Sequence, residues 1–305
     1  MKHRSKYTLC SCFFYGLFII CSLSICLSAQ NLDLAGFSYT RLPSADVVDS
    51  PSNQRAETNE LNAFLNIPIP LRNKKTILIH GLQYRRVAPV VENDRNGTID
   101  GQTLHLASYR FMLVHKLKSD WTAMFIVNPT LSSTFNTPLE RDDVIGNGVI
   151  QFMRRPSDHF SYGFGVARTA RFGEVLIIPT FQLTKDYQHS TLQVFLPRQI
   201  SFDYHFRTFD LGVQFSLSGS EYNANYTVMD ASNNEVSVDK LAYSRILLGP
   251  TFSYPINDLL RFDAFGGVVA NRRIELIGGS GVDETLEVES APFFQIGISL
   301  GLPQR

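Results

Sequence analysis

ISFDYHFRTFDLGVQFSLS, residues 200–218, is the stretch whose reading decides the fold. Ile200, Phe202, Tyr204 and Phe206 are apolar or aromatic, and Ser201, Asp203, His205 and Arg207 between them are polar. After Thr208 the pattern resumes: Phe209, Leu211, Val213, Phe215 and Leu217 alternate with Asp210, Gly212, Gln214, Ser216 and Ser218. A period of two is that of a strand with two unlike faces. With Arg207-Thr208 as the turn, Phe206 faces Phe209 and His205 faces Asp210. Arg-Thr is a poor two-residue turn, since neither residue favours positive φ, so a longer loop is the alternative.

Such a hairpin fits a soluble sandwich or a membrane barrel, and the rest of the chain must choose. Charged residues make up 18% of 305, below the usual quarter, while Phe and Tyr are abundant and mean hydropathy is near zero. Blocks of apolar residues long enough for helical spans are therefore not expected. Apolar residues that alternate with polar ones hide hydrophobicity as a transmembrane barrel does.

Residues 1–29 differ. Lys2, Arg4 and Lys6 precede an apolar segment from about Cys12 to Leu27, then Ser28-Ala29-Gln30. This predicts a signal peptide cleaved after Ala29, with a membrane anchor as the alternative. A lipidated Cys26 is disfavoured by bulky Ile25. Cys10, Cys12, Cys21 and Cys26 all lie in this leader. The remaining domain, 30–305, is then expected to lack disulfides, thiolate metal sites and a Cys nucleophile. The leader holds three of the 28 basic residues and no acidic ones, so the rest is net −3. No basic run points to nucleic acid.

Further along, alternation marks strands over most of the chain, among them Leu61–Ile69, Trp121–Val127, Phe160–Val166 and Phe294–Leu302. The faces of Thr76–Val87 cannot be assigned, because Ile77, Leu78 and Ile79 run together. About fourteen strands result, with twelve the main alternative. Long polar connections are expected near 42–58, 88–102, 132–143, 222–239 and 272–290. Short ones fall at 70–75, 118–120, 154–158, 185–189, 207–208 and 255–258. Sorting short turns to one end and long loops to the other is the habit of an outer-membrane barrel. The predicted fold is a closed antiparallel up-and-down transmembrane β-barrel. Closure leaves no strand edge in hydrocarbon, where each unsatisfied backbone group costs several kcal/mol.

The leader, the Leu196-Pro197 step, the following hairpin and the strand-turn rhythm over most of 31–305 resemble a family of Gram-negative outer-membrane β-barrels. That family is known as a domain of unknown function and is common in Bacteroidota. The resemblance implies an outer-membrane location, lipid around the barrel and insertion by the barrel-assembly machinery. It supplies no catalytic residues. Such proteins usually end in an aromatic residue, whereas this sequence ends Leu302-Pro303-Gln304-Arg305.

Two sets of residues carry the functional expectations. His205 with Asp203, Asp210 and Ser201 is the most catalytic-looking cluster, because an Asp-His pair activates water or a Ser hydroxyl. The plainer reading is a network of mutually satisfied polar side chains in the lumen. Arg110, Arg245, Arg261 and Asp263 fall mid-strand, opposite apolar residues. An Arg facing lipid near the midplane costs ~2–4 kcal/mol, so these should point inward with Asn147, Gln151 and Gln214. They would either line a pore that small solutes cross or hold a plug by ion pairs.

Met112, Met124 and Phe64 lean inward and motivate a third reading, a site for an apolar ligand. Glu92-Asn93-Asp94-Arg95-Asn96-Gly97 has the start of a calcium loop, but Thr103 stands where the bidentate Glu belongs. His80, His105, His115, His159 and His189 lack ligand spacing on one face, so neither metal nor cofactor is expected. The leading expectation is a structural or passive-pore barrel, ahead of a hydrolase.

Overall fold

The computed structural model describes residues 32–48, 54–93, 97–100, 103–136, 138–170, 175–229, 235–278 and 283–301. The leader with its four cysteines, the centre of the calcium-like segment and residues 302–305 lie outside the described residues.

Sixteen strands form one sheet: β1 (Ala35–Asp46), β2 (Arg55–Pro70), β3 (Thr76–Asn93), β4 (Gly97–Asp100), β5 (Leu104–Lys116), β6 (Trp121–Ser133), β7 (Val144–Ser157), β8 (Phe160–Thr169), β9 (Leu176–Asp186), β10 (Ser190–Leu196), β11 (Gln199–His205), β12 (Asp210–Met229), β13 (Glu235–Pro255), β14 (Leu260–Ile277), β15 (Asp283–Val288) and β16 (Ala291–Leu300). A 3-10 turn, η1, covers Arg141–Asp143. Fourteen of the strands pair antiparallel around a closed ring, which β1–β16 and β13–β14 complete. β4 and β15 stand outside it, paired to β3 and β14.

The opening hairpin takes the expected register. His205 pairs with Asp210, and the Phe206 amide donates to the Phe209 carbonyl at 2.9 Å. The ring of Phe209 stacks on Phe206. Neither Arg207 nor Thr208 takes positive φ, so the tight turn is made without the backbone that Asn-Gly would supply. In β3, exposed Leu82 and Tyr84 point out, while buried Ile79 and Val87 mark the inward face.

Closure lets one face of every strand remain apolar. Phe37, Leu65, Leu82, Phe125, Ile150, Phe164, Phe202, Val213, Val268 and Ile296 all stand exposed on the outside. A water-soluble chain would hide such a band. The residues between them turn inward, as a period of two requires.

The connections differ from expectation at one end. Segments read as long loops are mostly continued strands: β12 and β13 run on to Met229 and from Glu235, β14 reaches Ile277, and β15 returns against it. The Asn- and Ser-rich composition of 222–239 obscured the pairing, which depends on backbone groups rather than on side-chain type. These extensions carry the buried apolar clusters. One joins Leu42, Ala56, Leu247, Phe265, Val269 and Phe293; the other joins Val87, Leu104, Tyr222, Ala224, Val238 and Tyr243.

Candidate functional site

The inward face is polar and electrostatically layered. At the short-turn end, neighbouring strands bring an acidic belt to one level: His205 lies across from Asp210, Asp210 from Ser253 and Ser253 from Asp263. Arg261 Nε meets Asp263 at 2.8 Å, and Nη2 meets Asp33 at 3.0 Å. Ser253 and Ser299 hydroxyls donate to the two oxygens of Asp263, at 2.7 and 2.9 Å. Asp33, just before β1, has its carboxyl raised above the usual range, chiefly by burial and against the pull of Arg261.

The His205 cluster is a chain of polar contacts. The ring Nδ1 meets Asp210 at 2.9 Å and Nε2 meets the Thr191 hydroxyl at 3.0 Å, which also donates to Asp186 at 2.9 Å. Both ring nitrogens are thus engaged. Ser201 lies instead beside Asp203, whose carboxylate also accepts from Thr251. Gly212 makes room for that carboxylate, since a side chain there would collide with Asp203 and Thr251. The Ser201-His205 relay considered from sequence is therefore not assembled: alternation put both residues on one face but could not say which partner each would choose.

In the middle of the wall the side chains are amides. Gln151 donates to Gln182 at 3.2 Å and Gln199 to Gln214 at 3.3 Å. Asn147 reaches Thr130 and the Ala170 amide. Met112 lies opposite Ile79 and Met124 opposite Gln151 on this inward face, and the Phe64 ring lies flush on Gly36, where no Cβ would fit.

Toward the extended end the inward face carries buried ion pairs. Arg245 Nη2 meets Glu60 at 2.7 Å, and Tyr243 donates to the other Glu60 oxygen at 3.2 Å. Glu60 and Arg245 are 4% and 5% exposed, and Arg272 is wholly buried with its guanidinium on the Ala56 carbonyl. Arg245 was expected on an inward face. It is buried there against Glu60.

β12 bends across the mouth. Asn223 bridges Ser133 of β6, the Thr134 amide donates to the Asn223 carbonyl, and the Ser132 hydroxyl donates to the Glu221 carbonyl at 2.6 Å. Glu60, Arg272 and Tyr222 escaped the sequence reading because they lie in or beside segments taken as loops.

A third group holds only cations. Arg110 and Arg85 lie within electrostatic range of Arg198, which sits in the turn between β10 and β11. None of the three forms a salt bridge among the described residues; Arg85 reaches only the Ser218 hydroxyl, at 3.5 Å. Arg198 is exposed, and the charges of Arg110 and Arg85 act on it. No cluster of three metal-ligating side chains occurs among the described residues.

The ring, its apolar outside and its layered polar inside define a closed 14-strand antiparallel β-barrel of transmembrane type. Over residues 25–300 the chain belongs to the family described as a domain of unknown function, DUF6268. A search of curated proteins finds no match. Among solved structures the chain is similar to an outer membrane channel from Pseudomonas putida F1, at 8% identity and TM-score 0.44, covering 90% of this chain and 97% of that one. It is also similar to the TodX monoaromatic hydrocarbon channel, as a deletion mutant, at 10% identity and TM-score 0.42, covering 89% and 90%. A porin mutant of Rh. blastica follows at 8% and TM-score 0.34, covering 88% and 99%.

Proposed function

We propose that this protein is a channel-type barrel of the outer membrane, exported by its leader, inserted by the barrel-assembly machinery and passing small solutes through a polar lumen. One observation carries the reading: a closed ring whose exterior is apolar and whose interior is polar. Lipid around the outside satisfies the first face, and a hydrated interior satisfies those polar groups of the second that do not pair with one another. Asp263, Asp210 and Asp203 would bias the short-turn entrance toward cations, as rings of carboxylates do, with Arg261 offsetting part of that charge. The ion-paired plug at Glu60 and Arg245 would keep the resting conductance small.

Two measurements test this. The protein should pellet with membranes and require detergent for release; a chain that stays dissolved overturns the membrane reading. Purified and folded in a planar bilayer, it should give discrete steps of current that favour cations. Silence under all voltages would leave a structural role and remove the channel.

A further inference from the structure

The wall of the ring is not of even height. β10 and β11 have seven residues each, whereas β12 has 20 and β9 has 11. Seven residues at about 3.3 Å each, tilted about 45°, climb about 16 Å, well short of the ~25 Å apolar band. β10 stops at Leu196, opposite Phe181, and β11 starts at Gln199, opposite Ser216. Above that level β9 pairs only with β8, through Leu176–Thr180. β12 keeps β13 on one side and makes its last bond to the hairpin from the Leu217 amide to the Arg198 carbonyl. Then it bends inward to β6.

The apolar exterior nevertheless continues past the turn. Val166 faces out from β8 opposite Pro179, and Ile177, nearer the extended end, is 75% exposed. Two missing strands leave up to about 14 Å between the backbones of β9 and β12. Backbone edges at membrane depth persist only where they line a hydrated space or are covered by protein. Among the described residues, no strand covers these.

The chemistry of the rim is divided. Val175, Leu176, Ile177, Ile178 and Pro179 carry no polar side chain, and Leu176 and Ile177 are exposed though they point to opposite faces. A strand open on both faces has space on both sides of the wall. The sill is Arg198, exposed and within electrostatic range of Arg110 and Arg85, none of which forms a salt bridge among the described residues. An apolar edge about 16 Å long beside three guanidiniums that form no salt bridge among the described residues complements one alkyl chain bearing an anionic head.

We propose that the gap between β9 and β12 is a side entrance joining the bilayer to the lumen, occupied by a single-chain anionic amphiphile of the fatty carboxylate class. Its tail lies along residues 175–179 and its carboxylate meets Arg198, Arg110 and Arg85. The proposal rests on the channel reading above and adds its substrate class and route.

Dodecanoate is the probe, titrated into the purified, detergent-folded protein by calorimetry. Saturable binding is expected, weakened tenfold or more in Arg198→Gln with Arg110→Gln. Dodecanol should bind at least tenfold more weakly than dodecanoate. Equal affinity of wild type and variant overturns the arginine site, and equal affinity of dodecanol overturns the head-group contact. A diacyl phosphatidylglycerol that binds as well as dodecanoate overturns the single-chain assignment. Should the double variant not fold, Ile178→Cys, in a chain whose four leader cysteines are serine, carries a fluorophore at the gap. Nitroxide-labelled fatty acid should quench it, and unlabelled dodecanoate should reverse the quenching; a signal that does neither removes the side entrance. Ion steps without dodecanoate binding would overturn this inference and leave the channel. Binding and quenching without ion steps would overturn the open ion path and leave the amphiphile site.

Discussion

Glu60→Gln tests whether the mouth of the barrel is sealed by charge. Glu60 is the carboxylate that Arg245 and Tyr243 both contact, and it lies in electrostatic range of Arg272 as well. Arg245 and Arg272 are almost without exposure, and each has a guanidinium nitrogen with no partner. Removing the anion leaves two cations in a dry setting. Breaking a buried pair from one side typically costs about 3–5 kcal/mol, against about 0–1 for an exposed pair. The expected loss is therefore about 3–5 kcal/mol, read as a lowered urea midpoint in vesicles at unchanged slope. Trp121, the single tryptophan, reports unfolding from the short-turn end, far from the mutation. Replacing Arg245 by Met in the same chain should recover part of the loss, since Arg272 remains; a coupling of about 1.5 kcal/mol or more is expected. A single-variant loss below about 1 kcal/mol would mean that water reaches the pair and that the mouth is not sealed. Conductance gives a second reading, because weakening the plug should enlarge the current steps.

Other substitutions address the two faces and the belt. Val213, 55% exposed, and its neighbour Gln214 point to opposite sides: Val213→Arg should cost ~2–4 kcal/mol and Gln214→Arg little, and equal costs in urea titrations would argue against lipid outside. His205→Ala should leave lipase and protease assays at their wild-type level while altering the cation preference of the current, because both ring nitrogens are held by Asp210 and Thr191; an activity that vanishes with His205 would restore the hydrolase reading. Asp33 titrates above its ordinary value when folded, so its contribution to stability is full below about pH 3.8 and is lost as pH rises through the folded value. Asp33→Asn should flatten the part of the stability curve that begins above about pH 3.8, and an unchanged slope would show that the carboxyl is not desolvated.

The barrel was legible because its determinants are local. Alternation across Ile200–His205 and Leu211–Leu217 needs only a reader of period two, and the short turns are bounded by the same pattern. The strand count followed from those turns. What stayed hidden depends on contacts distant in sequence. Glu60 and Arg245 are 185 positions apart, and nothing near either residue reveals the other. The strand extensions at Tyr222–Met229 and Glu235–Lys240 pair through their backbones, so their Asn- and Ser-rich side chains looked like loop. Ser201 and His205 show the opposite failure. Their shared face was right, yet a face fixes direction only, and Thr191 from a neighbouring strand took the place a serine was expected to fill.

The low hairpin and the inward bend of β12 have one physical origin. A strand with neighbours on both sides is held in the wall by two ladders, and bending it inward breaks one of them. β12 has two neighbours only as far as Leu217, because β11 begins at Gln199. Beyond that point its free edge needs hydrogen-bond partners, and hydrocarbon offers none. Turning inward brings Asn223 to Ser133 and Thr134, and Glu221 to Ser132, so part of the free edge is satisfied inside the barrel. The same movement carries Tyr222 into the apolar cluster and Ser218 to Arg85. Among the described residues nothing comparable happens to β9, whose outer residues keep a single ladder. The inward bend of β12 and the single ladder of outer β9 are thus two consequences of one short hairpin, and lengthening β10 and β11 by matched pairs of residues would act on both together.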